Sequence, residues 1–118
     1  MTGRSAERRP ARAIAGVFAA LGDETRLALV GRLATGPCSA TALAADATLT
    51  RQAIAKHLRV LEGAGLVTPE RRGREVLYVL APSRLVELRD FLDGASRGWD
   101  VALGRLRALV EEPDAPPG

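Results

Sequence analysis

The chain has 118 residues, of which 47% are apolar but only four are aromatic, so the core must consist mainly of Leu, Val and Ala. Its length fits one domain that buries about two-thirds of its unfolded surface, and no segment approaches the roughly 20 apolar residues of a membrane span. A net charge of +3 only weakly favours a polyanionic partner. A single cysteine excludes an intramolecular disulfide and fits a cytoplasmic protein.

The first ten residues are basic, and we expect them to form a flexible tail. The apolar run at residues 13–21 that follows them faintly resembles a secretion signal. However, Ile14, Phe18 and Leu21 recur at i, i+4 and i+7, which is the spacing of one helix face. We therefore predict a first helix that belongs to a folded domain spanning residues 11–112.

Two short helices are predicted next, each with a polar residue that can accept hydrogen bonds from the free N–H groups of its first turn. Asp23 caps the first of them. The apolar stripe of that helix is Leu27, Val30 and Leu33. Ser39 caps the second, which Leu43 anchors in the core. A turn at residues 47–49 follows, with Leu49 expected to point inward.

The helix after this turn has one apolar face and one cationic face. Thr50 is its predicted N-cap, and Gly65 follows its C-terminus, where glycine tolerates a left-handed conformation. The apolar stripe is Ile54, Leu58 and Leu61. The opposite face carries Gln52, Ala55, Lys56 and Arg59, with Arg51 at the N-terminal corner.

This cationic face suits the major groove of DNA. Arginine pairs bidentately with guanine and glutamine with adenine, so base contacts are expected from the first turns of the helix. These contacts come from Thr50, Arg51, Gln52 and Lys56, with Ala55 among them. Arg59 lies one turn further on and is better placed for a phosphate. For the helix taken alone, an ordinary solvated face is an equally good interpretation.

A basic hairpin changes that balance. One strand begins at Leu66, and residues 75–80 form the return strand. The connection holds Arg71, Arg72, Gly73 and Arg74, three guanidiniums around a turn glycine, which suit the minor groove or the flanking phosphates. Residues 50–74 contain six basic and two acidic residues, a net +4 that exceeds the charge of the whole chain. A helix-turn-helix followed by such a hairpin is typical of winged DNA-binding domains.

Residues 22–80 resemble the ArsR/SmtB-type winged-helix repressors of bacteria. The resemblance rests on the segments Gly22–Leu27, Leu49–Leu58 and Leu61–Val67. It implies a mainly α fold of about five helices with a two-stranded wing, dimerising through the N- and C-terminal helices. It also implies a homodimeric repressor that binds double-stranded DNA at an inverted repeat near its own promoter.

A long C-terminal helix is predicted from residue 84 to residue 111, with Ser83 as its N-cap. At about 42 Å, it is too long for so small a domain to cover. Its apolar residues alternate in steps of three and four, which is an a/d seam. The seam is Leu85, Leu88, Leu92, Ala95, Trp99, Ala102, Leu106 and Leu109. We expect a second copy of the chain to cover it, together with Ile14 and Phe18; packing on its own domain is the alternative.

The sequence predicts neither a metal site nor a cofactor. Many members of the family that the chain resembles bind metal through cysteine pairs on the helix at residues 39–46 or through Asp/His/Glu sets on the last helix. This sequence departs from both patterns, because Cys38 stands alone and His57 is the only histidine. Zinc and copper sites need three or four ligands that include imidazole or thiolate. The effector is therefore unknown, and redox sensing through Cys38 of two subunits stays open.

An enzyme would need a nucleophile with its base, a metal or a phosphate-cradling loop, and none of these is evident. A winged-helix module that binds a protein is the remaining alternative, but it would not explain the arginines of the hairpin. We predict a cytoplasmic, DNA-binding transcriptional repressor that does not respond to metal. Residues 113–118, rich in proline, are expected to be disordered.

Overall fold

The computed structural model describes the backbone of residues 2–111 and the side chains of residues 12–111. The described residues form five helices and three strands, as the mainly α prediction required. In chain order these are α1 Thr2–Leu21, α2 Glu24–Leu33, β1 Cys38–Ser39, α3 Ala40–Ala47, α4 Arg51–Gly63, β2 Val67–Arg72, β3 Glu75–Leu80 and α5 Pro82–Glu111. The tail predicted at residues 113–118 lies outside the described residues.

Helix α1 begins at Thr2, inside the segment 1–10 that the sequence assigned to a flexible tail. Good helix formers at residues 6–9 allow this extension. Ile14, Val17 and Ala20 are its buried residues, whereas Phe18 is 43% exposed. Of the predicted stripe, Ile14 is buried, Leu21 is half-buried and Phe18 is exposed. The buried face follows residues spaced by three rather than the predicted spacing of four and three.

The predicted N-caps of α2 and α3 are confirmed. The Asp23 carboxylate accepts a hydrogen bond from the Arg26 backbone N–H at 3.0 Å, and the Ser39 hydroxyl accepts one from the Ala42 N–H at 3.2 Å. The predicted stripe of α2 is partly wrong, since Leu29 and not Leu27 is buried. The Arg26 side chain reaches the α1 carbonyl of Ala20, and this contact turns the neighbouring Leu27 towards solvent.

Helix α4 has the predicted ends and the predicted core face. The Thr50 hydroxyl accepts a hydrogen bond from the Ala53 N–H at 3.1 Å. At the other end Gly65 has φ +78, its N–H bonds to the Glu62 carbonyl, and the Leu66 N–H bonds to the Leu61 carbonyl. This pair of bonds is a Schellman motif. The turn before α4 departs from the prediction, because Thr48 is left-handed and Leu49 is exposed.

The three strands form one antiparallel sheet in the order β1-β3-β2. Strand β1 was not predicted, because two residues are too few to show an alternating pattern. It adds a third strand to the predicted two-stranded wing by pairing Cys38 with Tyr78 and Ser39 with Leu77. At the far end of the wing a two-residue turn starts with Gly73 at φ +63, as a type II′ hairpin turn requires.

The chain divides into two compact units, Met1–Glu87 and Leu88–Gly118. All described residues of the hydrophobic core lie in the first unit. Helix α5 begins at Pro82, two residues earlier than predicted, because proline is favoured at the first helical position. None of the described residues of α5 is buried. No helix of residues 2–111 is long and apolar enough to cross a membrane.

Two glycines near the end of α4 provide a matched pair of stability tests. We expect Gly65→Ala to lower the free energy of unfolding by about 1–2 kcal/mol, since a left-handed conformation strains any residue with a Cβ. The added Cβ would also lie 2.9 Å from Nε of Arg84. Gly63→Ala, a helical position with open space around it, should instead gain up to about 1 kcal/mol. Urea denaturation measures both; equal effects would contradict this account of the helix end.

Candidate nucleic-acid interface

The predicted base-contacting face of α4 is open to solvent. Thr50, Arg51, Gln52, Lys56 and Arg59 are exposed, and Ala55 is half-buried. Together with Ala53, all of these except Arg51 line a shallow depression along the helix. The buried stripe on the other side of α4 explains why this face is outermost.

The cations of α4 carry uncompensated charge. Among residues 12–111, no ion pair involves Arg51, Lys56 or Arg59. Exposed, unpaired cations on a helix face produce a positive potential that attracts a polyanion. The arrangement is therefore chemically suited to phosphate and to the acceptor-rich edges of bases.

The arginines of the wing are not clustered as the sequence suggested. Only Arg74 lies in the turn, whereas Arg71 and Arg72 are residues of β2. Consecutive strand residues point to opposite faces of a sheet, so these two guanidiniums diverge. Arg72 also forms an exposed ion pair with Glu70 at 3.5 Å, a kind of contact that contributes little to stability. The wing thus presents its cations over both faces and its tip.

A cleft brings together two predicted residues that are far apart in the sequence. It lies between α3, the start of α4 and strand β3, and contains both Arg51 and Arg74. The other lining residues are Ser39, Ala40, Thr41, Ala42, Ala45, Glu75, Val76 and Tyr78. Sequence reasoning missed the contribution of α3, whose residues in the cleft are alanines and Thr41. The only sequence signal for this contribution was the hydroxyl groups of Ser39 and Thr41, near the start of α3.

The buried side of α4 includes one polar cluster. The Nδ1 atom of His57 lies 3.7 Å from Oδ2 of Asp23 and 3.4 Å from Nη1 of Arg26. The pKa of Asp23 is below its ordinary value, chiefly because the carboxylate accepts the hydrogen bond of the Arg26 backbone N–H. This cluster joins the N-terminus of α2 to the middle of α4.

Known proteins share this arrangement. A family model described as a helix-turn-helix domain matches residues 21–70. The HTH-type transcriptional regulator Rv2034 of Mycobacterium tuberculosis is 41% identical over 92 residues, which cover 78% of this chain and 83% of that protein. An ArsR-like transcriptional regulator from Rhodococcus sp. RHA1 has a TM-score of 0.71 and 37% identity, covering 83% of this chain and 92% of that one. The chain belongs to the ArsR/SmtB-type winged helix-turn-helix regulators.

This ArsR/SmtB-type protein is accordingly a DNA-binding transcriptional regulator, and its relatives are regulators rather than enzymes. It is also similar to the cadmium metal-sensor CmtR of Mycobacterium tuberculosis. That similarity is 42% identity with a TM-score of 0.54, covering 60% of this chain and 73% of CmtR. Among the described residues of the present regulator, no group of three or more His, Cys, Asp and Glu side chains could hold a metal ion. Cys38 is buried in the sheet.

The residues predicted for a dimer interface differ in exposure. Ile14 is buried within its own chain, which leaves little of it for a partner to contact, while Phe18 is exposed. On α5 the exposed fraction rises towards the C-terminus. Leu85, Leu88 and Ala95 are half-buried, and Leu92, Trp99, Ala102, Leu106 and Leu109 are exposed. Trp99 has 68% of its surface exposed. Whether a second copy covers this seam stays a prediction.

Proposed function

We propose that this regulator is a dimeric, sequence-specific repressor that acts in the cytoplasm on an inverted-repeat operator. The observation that carries the proposal is the solvent-exposed face of α4, on which three cations have no ionic partner among residues 12–111 while the opposite face is fixed in the core. Each protomer inserts α4 into the major groove, where its first two turns reach base edges. Repression follows because a bound dimer at a promoter excludes the transcription machinery.

The contacts divide by residue type and position. Thr50, Arg51, Gln52 and Lys56 read bases, with Ala55 against a thymine methyl or sugar surface. Arg59 and the wing residues Arg71, Arg72 and Arg74 hold phosphates and set the register. The cleft that contains both Arg51 and Arg74 supports this division. In the proposed complex, the DNA strand beside α4 lies between the base-reading Arg51 and the phosphate-binding Arg74.

The dimer is supported by the apolar seam of α5. An isolated chain leaves Trp99, Leu106 and Leu109 more than half exposed, and water contact with so many large apolar groups on one helix is unfavourable. The seam repeats in steps of three and four residues, which suits packing against another helix. A second copy of α5 provides a matching surface. Two α4 helices related by a two-fold axis then read half-sites about one helical turn apart.

The proposed switch is not a transition metal. The described residues lack a cluster of three metal-binding side chains, and the only thiol is buried in the sheet. Metal coordination at a protein site ordinarily takes three or four such ligands. These observations support the proposal of a different effector, even though the chain is similar to a cadmium sensor.

Substitutions on α4 and on the wing should affect DNA binding in different ways. Lys56→Ala should weaken operator binding but spare an unrelated duplex, since a lost base contact costs about 1–3 kcal/mol of discrimination. Arg74→Ala should weaken both duplexes alike and make the slope of log K against log salt shallower by about one charge. Arg97→Ala removes the same charge from α5 and serves as the control. A footprint on the upstream region of its own gene locates the operator.

Two results of that experiment would contradict the proposal. If the protein bound no DNA at low salt, the alternative of a winged-helix module that binds a protein would be favoured. If Arg74→Ala changed the preferred sequence, the wing would read bases or groove shape rather than phosphates. A salt titration shows whether phosphate contacts contribute to binding, because such contacts always give a negative slope of log K against log salt.

Light scattering tests the dimer. We expect a mass close to twice the 12.5 kDa of the chain at micromolar concentration. Leu106→Asp, at the exposed seam, should yield a monomer with unchanged helix content, because Leu106 is already 57% exposed within its own chain. Arg97→Asp, outside the seam, should leave the dimer intact. A monomeric wild-type protein would overturn this part of the proposal.

Metal addition tests the switch. When Cd²⁺ or Zn²⁺ replaces EDTA, operator affinity should change by less than about twofold. This change is smaller than the loss of one hydrogen bond would cause. The cadmium sensor CmtR, tested on its own operator, provides the positive control. Release of the operator by either metal at stoichiometric concentration would show that this regulator is metal-responsive after all.

A further inference from the structure

One guanidinium joins helices α1 and α4. Nε of Arg26 donates a hydrogen bond to the carbonyl oxygen of Ala20, in the last turn of α1, at 2.6 Å. Nη1 of the same group lies 3.4 Å from Nδ1 of His57 on α4. The carbonyls in the last turn of a helix have no intrahelical partner. A cation that donates to one of them provides the missing hydrogen bond and also interacts favourably with the helix dipole. Arg26 is thus fixed at one end and holds His57 with the other.

His57 lies between the buried face and the proposed DNA-binding face of α4. It directly follows Lys56 on the exposed face and precedes Leu58, which is buried. Its own side chain is only 24% exposed. Because neighbours along a helix are about 100° apart, a contact at His57 limits rotation of α4 between the core stripe and the DNA face. The contact is directional, whereas the apolar packing of the stripe is not.

We propose that Arg26 and His57 are positioning residues: the hydrogen bond between them sets the rotation at which α4 presents its DNA face, and it forms only while the imidazole is neutral. This inference rests on the proposed function. It adds a link between the fold and DNA reading that involves no DNA-contacting side chain.

The requirement for a neutral ring follows from the chemistry of the pair. A guanidinium can only donate hydrogen bonds, so Nδ1 of His57 must accept, and the ring proton sits on Nε2. Protonation turns Nδ1 into a donor and places a second positive charge beside Arg26. The bond is then lost, and the ring is repelled from its partner.

Asp23 provides the alternative partner for a protonated ring. Its Oδ2 atom is 3.7 Å from Nδ1 of His57, beyond hydrogen-bond distance in the present arrangement. Within residues 12–111, Asp23 and Arg26 of α2 are the charged groups that contact the ring, and no charged group of α1, α3 or β2 does so. Protonation therefore exchanges the Arg26 contact for the Asp23 contact, and α4 is no longer held at the rotation that the Arg26 bond sets.

The test compares DNA binding at pH 7.5 and pH 5.5. The chain has one histidine, so no other imidazole contributes to a difference between the two pH values. We expect the affinity of the wild-type protein for its operator to fall about three- to tenfold at pH 5.5, the factor carried by one hydrogen bond. Affinity for an unrelated duplex should rise or stay constant, because added positive charge strengthens phosphate binding. The opposite signs separate positioning from general electrostatics.

Two variants provide controls. His57→Gln retains an oxygen that accepts from Arg26 and does not titrate, so it should bind the operator as the wild type does at pH 7.5 and lose no affinity at pH 5.5. Arg26→Lys keeps the charge but lacks the second donor of the guanidinium, so it should bind weakly at both pH values. Thermal unfolding at each pH checks that both variants fold.

Each outcome has one meaning. An operator-to-unrelated ratio that does not fall in the wild-type protein overturns the inference, whatever the variants do. An equal fall in His57→Gln also overturns it. If the wild-type protein binds no duplex at either pH, the proposed function has failed instead, and the role of the Arg26–His57 pair in DNA reading fails with it.

Discussion

The DNA-binding surface depends on how three apolar side chains of α4 are buried. Ile54, Leu58 and Leu61 have at most 1% of their surface exposed, and each such side chain contributes about 1.5–3 kcal/mol by leaving water. A rotation of α4 by one residue would expose this stripe and, in one direction, carry Arg59 and Glu62 towards the interior. The free energy that folds the domain therefore selects the face of α4 that points outward, and the Arg26–His57 contact proposed above then defines the rotation within that range.

The ends of α4 are as closely defined as its rotation. The Thr50 cap makes Arg51 the first helical residue, which places its guanidinium at the N-terminal corner of the exposed face. At the other end the left-handed Gly65 turns the chain so that Leu66 and Val67 become buried and β2 starts. The distance from the reading helix to the wing is thus determined by one cap and one glycine.

The sequence predicted these parts because their signals are local. A cap hydroxyl, a helical period and a glycine after the last turn lie within a few residues of the structures they determine. The stripes of α1 and α2 were partly wrong for a different reason: each helix has apolar residues on more than one face, so contacts between helices, such as that of Arg26 with Ala20, decide which face is buried. Strand β1 and the divergence of Arg71 from Arg72 likewise depend on pairing partners remote in the sequence.

Ser39 serves two elements at once, and this has a mechanical consequence. Its backbone belongs to the strand that pairs with Leu77, while its hydroxyl holds the first turn of α3. The sheet that carries the wing is therefore joined to α3 at a single residue, with no intervening loop. A force on the hairpin is transmitted into α3 rather than absorbed by a hinge.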